Sequence, residues 1–397
     1  MKIFQFLQFS IVAAVLCSSA LAAEPDDAIP VDVTIVGGFP KPVPVNITGY
    51  GAEVDSILKY DLTFMGFEFV AQDKALYRIQ GKDSPGRVEG VVYDLIAKKY
   101  YPGKAFTGGT TRSQVHALAD DLAKMLTSKP GIAQTKITFV GQPADTGPGE
   151  IYVADFDGYN PQRVTQDGVI TGGPAWAGRS ILFYTSYKFG KPDIFSQNLT
   201  TGERKAVARF NGMNSGVAVS PDGKRLAMVL SKSGNPQLYV SDLAGGNLKQ
   251  LTTGKGVNSS PCWSPDNRTL CFCSDSRGAV ALYTIPADGG TMTSLPTLGV
   301  SRPTEPDWSP DGKFIVFTTQ WSRGFNICYV PVEGPRRGQA TALVAGEDAV
   351  WAPNSRAVVF TRNVNNRHVL SLLDVPTKQV KDVARISGSS SQPSWAR

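Results

Sequence analysis

The sequence predicts a six-bladed β-propeller preceded by a small α+β region, and three observations carry that prediction. The word Trp308-Ser309-Pro310-Asp311-Gly312 followed by Lys313-Phe314-Ile315-Val316-Phe317 joins an apolar anchor, a tight turn and a strand-like run. The same word recurs as Trp263-Ser264-Pro265-Asp266-Asn267 and Val219-Ser220-Pro221-Asp222-Gly223, with degraded copies around Trp351, Trp176 and Trp395. The anchors at 176, 219, 263, 308, 351 and 395 are 43 to 45 residues apart. A period of about 40–50 residues filled with short strands is the mark of a propeller. Within each word, Pro presets φ, Asp bonds its own backbone and Gly tolerates positive φ.

In chain order, residues 1–22 read as an export signal. Lys2 supplies the positive start, residues 4–16 are mostly apolar, and Ala20-Leu21-Ala22 fits a small-residue cleavage site near Ala22. The apolar run is shorter than the ~20 residues that span a bilayer, so a membrane-spanning chain is not expected. Leu16 directly before Cys17 argues against lipidation, where a small residue is wanted. The mature chain is expected to be exported and soluble.

Residues 23–133 read as an N-terminal α+β domain behind a flexible segment. Residues 23–30 look unfolded, and 31–36 alternate as a strand. A further strand is expected over 43–47, a helix over 53–65 with Val54, Ile57, Leu58 and Met65 in register, and a strand over 67–70. Residues 76–80, 87–96 and 98–106 read as antiparallel strands. Thr110 or Thr111 caps a second helix reaching Met125 or Leu126, with Val115, Leu118, Leu122, Met125 and Leu126 on one stripe.

From residue 134 onward only short strands follow. Residues 137–165 form a blade that lacks its opening strand, and residues 393–397 form an opening strand that lacks its blade. The two halves are expected to pair, so that N- and C-terminal strands close the ring and leave no free sheet edge.

The net charge of +6 and pI near 8.9 come from interspersed charges, with no dense basic block, so no nucleic-acid partner is expected. Beyond Cys17 the cysteines are Cys262, Cys271, Cys273 and Cys328. A disulfide such as Cys262–Cys271 and buried free thiols are both open, with thiols favoured because Cys packs as a small apolar residue. With only His116 and His368 in the chain, far apart, neither a metal site nor another cofactor is expected.

Motifs that could carry chemistry are weak. Asp155-Phe156-Asp157-Gly158 begins like a calcium loop but lacks the later Glu, and a turn role is favoured. Gly212-Met213-Asn214-Ser215-Gly216 has the wrong spacing for a nucleophile elbow. Asn46-Ile47-Thr48 matches a glycosylation pattern, and His116 reads as an ordinary helix residue. No acid/base pair, phosphate loop or catalytic residue emerges. The residues just before each anchor are polar and varied: Met213, Asn214 and Ser215; Asn258, Ser259 and Ser260; Thr304 and Glu305; Glu347 and Asp348; and residues 390–392. In a propeller these gather at one mouth of the ring, a concave surface suited to a protein or peptide.

The repeats, the segment Ser231-Lys232-Ser233-Gly234-Asn235-Pro236-Gln237-Leu238-Tyr239-Val240-Ser241-Asp242, the run Asp155 to Asn160, and Ala119-Asp120-Asp121 leading to Gly131-Ile132 together resemble the TolB family. These are WD40-like periplasmic propeller proteins of the Tol-Pal system. The resemblance implies binding of the peptidoglycan-associated lipoprotein Pal at a propeller mouth, near Met213, Asn214, Gly216 and Ser259. It also implies that the mature N-terminus, here Glu24, Asp26, Asp27, Val31, Asp32, Val33 and Thr34, binds the C-terminal domain of TolA. Ordering or release of that segment is coupled to Pal binding in the family. Met213 stands where the family carries histidine, and the first domain is shortened around 73–87.

The sequence therefore points to a monomeric, non-enzymatic periplasmic adaptor supporting outer-membrane integrity and constriction during cell division. The alternative is a propeller enzyme, or a carbohydrate- or peptide-binding protein, that uses the central channel and would need clustered carboxylates or histidines there.

Overall fold

The computed structural model describes residues 38–143, 147–321, 324–383 and 388–397. The expected export signal, the strand over 31–36 and the proposed TolA-binding residues lie outside them. The chain starts with a mixed sheet flanked by two helices. Its elements are β1 (Val43–Thr48), α1 (Ala52–Thr63), β2 (Phe67–Phe69), β3 (Tyr77–Ser84), β4 (Arg87–Asp94), β5 (Lys99–Tyr100), β6 (Lys104–Thr107) and α2 (Thr111–Thr127).

β1 pairs in parallel with both β2 and β3, while β3, β4, β5 and β6 are antiparallel neighbours. The single strand expected over 98–106 is two, since Pro102 cannot donate to a ladder and, with Gly103, breaks the run. α2 starts at a capping box in which the Thr110 and Ser113 side chains each accept the other's backbone N–H.

Six four-stranded sheets follow. Blades 1 to 5 span 171–208, 214–250, 258–295, 303–345 and 347–382. Blade 6 consists of β7 (Lys136–Gln142), β8 (Glu150–Asp155), β9 (Gln162–Arg163) and the C-terminal strand Ser389–Trp395, which pairs antiparallel with β7. The ring is thus closed by the two ends of the propeller, as the split repeat predicts. Trp395 is buried and donates its indole N–H to Thr135 Oγ1 at 2.7 Å.

The second strand of each blade reads as a continuous apolar run because both of its faces are covered by neighbouring blades. Phe314 to Phe317 and Leu226 to Leu230 are buried throughout. Separate apolar clusters lie between successive blades. The cluster between blades 5 and 6 differs. Val359, Leu370, Ile137, Phe139 and Trp395 join Val45, Leu58, Leu62, Ile79, Val115 and Leu122 in one body of buried side chains. The α/β region and the propeller share a core.

The turn word works as its chemistry predicts. Ser309 Oγ donates to Asp311 Oδ1 at 2.7 Å and accepts from Phe314 N at 3.0 Å, while Gly312 takes φ 78°. In blade 3 Asn267 occupies that left-handed position with φ 64°. The four described cysteines are free and buried. Cys262 and Cys271 are directly opposed, two steps from Ser264–Thr269, whose backbone bond is 2.8 Å. The antiparallel alternation therefore makes theirs a hydrogen-bonded pair, with Cα atoms about 5.5 Å apart.

Candidate functional site

Three residues before every anchor, the innermost strand bulges. Gly173, Gly216, Ser260, Glu305, Asp348 and Gln392 all lie in the left-handed region, with φ between 50° and 60°. The strand register shifts across each of them. A bulge leaves a residue unpaired and re-aims it, and here it does so six times around the channel.

On one arc the bulges are riveted to each other. Glu305 Oε2 accepts from Asp348 N at 3.2 Å, Asp348 Oδ2 from Gln392 N at 3.1 Å, and Gln392 Oε1 from Gly173 N at 2.8 Å. These bonds tie blades 4, 5, 6 and 1 in succession. On the other arc Gly173, Gly216 and Ser260 are too short to reach across, and no such rivet occurs among the described residues. The six bulges are thus lopsided: an acidic, cross-linked arc and an arc of small residues.

The acidic side has shifted titrations. Burial raises the Glu305 carboxyl above its ordinary range, against the pull of its bonds from Thr318 and Asp348. Asp348 is raised well above, first by burial and then by the neighbouring Glu305 and Glu347 charges. Glu347 is pushed up to about 7 by burial and by Glu305. His368 Nε2 stands 3.6 Å from Glu347 Oε1, and burial lowers the His368 pKa. The sequence showed no acid/base pair because blade 5 brings these two together only across its hairpin, where Asn363 opposes His368.

The other expected rim residues divide. Asn214 is fully buried, its Nδ2 donating to Phe210 O at 2.9 Å and Pro192 O at 3.2 Å, its Oδ1 accepting from Phe210 N at 3.0 Å. Asn258 is buried likewise, donating to Pro236 O at 3.1 Å and Gln237 Oε1 at 3.0 Å. Each fastens its blade to the one before. Met213, Ser215, Gly216, Ser259, Ser260 and Thr304 are half-buried, and Met213 packs on the cluster between blades 2 and 3.

A second group lies where the α/β region meets blade 6. Asp61 from α1, His116 from α2 and Asp157 after β8 each offer a ligand atom, all within 4.8 Å of one another. As a metal site the trio fits poorly. His116 Nδ1 is occupied by Asp61 Oδ2 at 2.7 Å, and the Arg112 guanidinium is bonded to Asp157. His116 is therefore no ordinary helix residue, and Asp157 does more than turn the chain. The sequence signal was there: Arg112 and His116 sit one helical turn apart beside the buried Val115 and Ala119. A third feature is a cleft of about 850 Å³ between blades 3 and 4, lined by Asp266, Trp308, Phe314, Arg336 and Gly38.

The profile of the TolB β-propeller domain matches residues 123–397. The chain belongs to the TolB β-propeller family. Its curated relatives include the Tol-Pal system protein TolB of Desulfosudis oleivorans, 34% identical over 35% of this chain and 32% of the relative. That of Anaeromyxobacter dehalogenans is 28% identical over 55% of this chain and 60% of the relative. The chain thus spans from about a third to three fifths of these relatives' length. Among solved structures, TolB from Acinetobacter baumannii superposes with a TM-score of 0.79 at 23% identity, over 90% of this chain and 97% of that one. At that identity the match establishes the fold: six blades and the preceding α/β region. Among the described residues no helix is long and apolar enough to cross a membrane.

Proposed function

We propose that the protein is a non-enzymatic periplasmic adaptor of a Tol-Pal system, exported by a signal cleaved near Ala22. It takes a Pal-like lipoprotein at the propeller mouth and the TolA C-terminal domain through residues 24–34, and so supports envelope integrity and constriction at division. The observation that supports this reading is the ring of six left-handed bulges, one in each blade, whose side chains vary from blade to blade. A preorganised mouth loses little conformational freedom on binding, which suits recognition of a folded partner. The names of the curated relatives supply the partners' class.

The open arc is the proposed lipoprotein seat, with Met213, Ser215, Gly216, Ser259 and Ser260 presenting small or flexible groups. Asn214 and Asn258 act there by holding their strands in place. The experiment is a pull-down of the mature chain with purified Pal and TolA C-terminal domains. Binding of both is expected at micromolar concentration, and capture of neither sinks the reading. Ser215→Arg with Ser259→Arg should abolish lipoprotein capture and leave the melting temperature unchanged.

The Glu347–His368 pair supports a second reading, a hydrolytic site in the channel, because shifted titrations gather at functional sites. It is the weaker one, since Glu305 and Asp348 are engaged in the rivets. A glycan or peptide substrate panel turned over by the wild type and not by Glu347→Gln would favour it.

A further inference from the structure

The group formed by Asp61, Arg112, His116 and Asp157 takes no part in the channel mouth, yet it joins three elements. The Asp61, Asp157 and His116 side chains are 0%, 1% and 7% exposed. His116 Nδ1 lies 2.7 Å from Asp61 Oδ2, and Nε2 points across the junction to Asp157 Oδ2, 3.6 Å away. Neither Nε2 nor Asp61 Oδ1 has a hydrogen-bond partner among the described residues. Arg112 bonds to Asp157 and stacks on Tyr159 at 3.3 Å, and Phe156 meets the His116 ring edge-on at 5.7 Å.

We infer that Asp61, His116 and Asp157 form a proton-operated latch between the α/β region and blade 6. A neutral imidazole carries one N–H, and its place is set by the partner of the other nitrogen. When Asp61 holds a proton, its O–H donates to Nδ1, so the ring's N–H sits on Nε2 and faces Asp157. When Asp61 ionises it can only accept. The ring's proton then moves to Nδ1, one proton leaves to water, and Nε2 turns a lone pair on the Asp157 carboxylate. Attraction across the junction becomes repulsion.

Arg112 and Asp120 on α2 act on Asp61, and Lys381 from the outer strand of blade 5 faces it and lies 5.0 Å over the Tyr60 ring. Burial outweighs the attraction of His116 and Arg112 and pushes the Asp61 carboxyl up to about 6, which puts the step near neutral pH. On the blade 5 side the α/β region is held by contacts that do not titrate: Asn354 Nδ2 donates to Phe64 O at 2.8 Å and Arg356 Nη1 to Pro40 O at 2.9 Å. Releasing the latch therefore weakens the polar contact on the blade 6 side, while the blade 5 contacts and the shared apolar core remain.

The test uses the tautomer itself. The chain has two histidines, so ¹⁵N-histidine labelling yields two rings, and His368→Gln assigns them. The His116 proton should lie on Nε2 at pH 5 and on Nδ1 at pH 7.5. Amide protection over residues 155–160, corrected for intrinsic rates, should fall roughly fivefold between those values, as for loss of one polar attraction of hydrogen-bond strength. In Asp61→Asn, which does not titrate, both changes should vanish. If that variant fails to fold, Asp157→Asn should keep the tautomer change while flattening the protection difference. One tautomer throughout, or a ring protonated on both nitrogens throughout, overturns the inference.

Discussion

Asn354 donates from Nδ2 to the backbone carbonyl of Phe64 at 2.8 Å, joining the turn of blade 5 to the end of α1. In blades 2, 3 and 4 the equivalent position is Asp222, Asp266 or Asp311, whose carboxylate accepts from the turn's Ser. Blade 5 has Ala352 in place of that Ser. Asn354 Oδ1 still accepts from Arg356 N and Ala357 N, so the amide closes the turn and serves the neighbour at once. The degraded repeat is the docking point.

Asn354→Asp, which restores the repeat's residue, should therefore destabilise. It replaces a buried donor by a carboxylate against a carbonyl, and the expected loss is about 2–3 kcal/mol in urea unfolding. An unchanged midpoint would mean that the junction does not depend on this bond.

Closure of the ring rests on Trp395, 2% exposed in the shared core. Trp395→Ala should cost about 3–5 kcal/mol, as large-to-small changes in cores do. Deleting residues 394–397 should lower the melting temperature further, and a melting curve that matches the wild type would count against closure by these strands.

Arg397 bonds to Asp307 and donates from Nη2 to Trp351 O at 3.1 Å, so the last residue ties blades 4 and 5 to blade 6. Burial raises the Asp307 carboxyl although Arg397 opposes it. In Arg397→Met the carboxyl should rise further, so the variant should lose more stability at pH 7.5 than at pH 5. Equal losses at both would show the contact to be packing alone.

Glu347 gives a signed pH prediction. Its carboxyl is about 7 in the fold, above the ordinary 4.5, so the folded state binds this proton more tightly than the unfolded one. Its contribution is fully present below 4.5 and is lost as pH rises through 7. Glu347→Gln should therefore be more stable than wild type at pH 8, by about 3 kcal/mol, and nearly equal at pH 4. Glu305→Gln keeps an acceptor for Asp348 N and should lower the Glu347 titration in an NMR pH series.

Much of the fold was legible because it is written in local chemistry. The Ser-Pro-Asp-Gly turns, the apolar strand runs, the Thr110 cap and the split sixth blade are each short-range signals, and their period counts the blades. That equivalent residues before each anchor share one place in their blades was legible for the same reason, and the six bulges fall among them. Which of them are exposed was not: Asn214 and Ser215 are adjacent in sequence, yet one is fully buried between blades and the other only half-buried.

By itself, then, the sequence determined a closed ring of six sheets and the helices before it, because periodicity, turn stereochemistry and capping act over a few residues. Only the tertiary structure decided that Asp61, His116 and Asp157 meet, that Glu347 faces His368, and that the rivets run around one arc alone. Those relationships join residues tens to hundreds of positions apart, where burial and geometry set protonation and partner, and no local pattern records them.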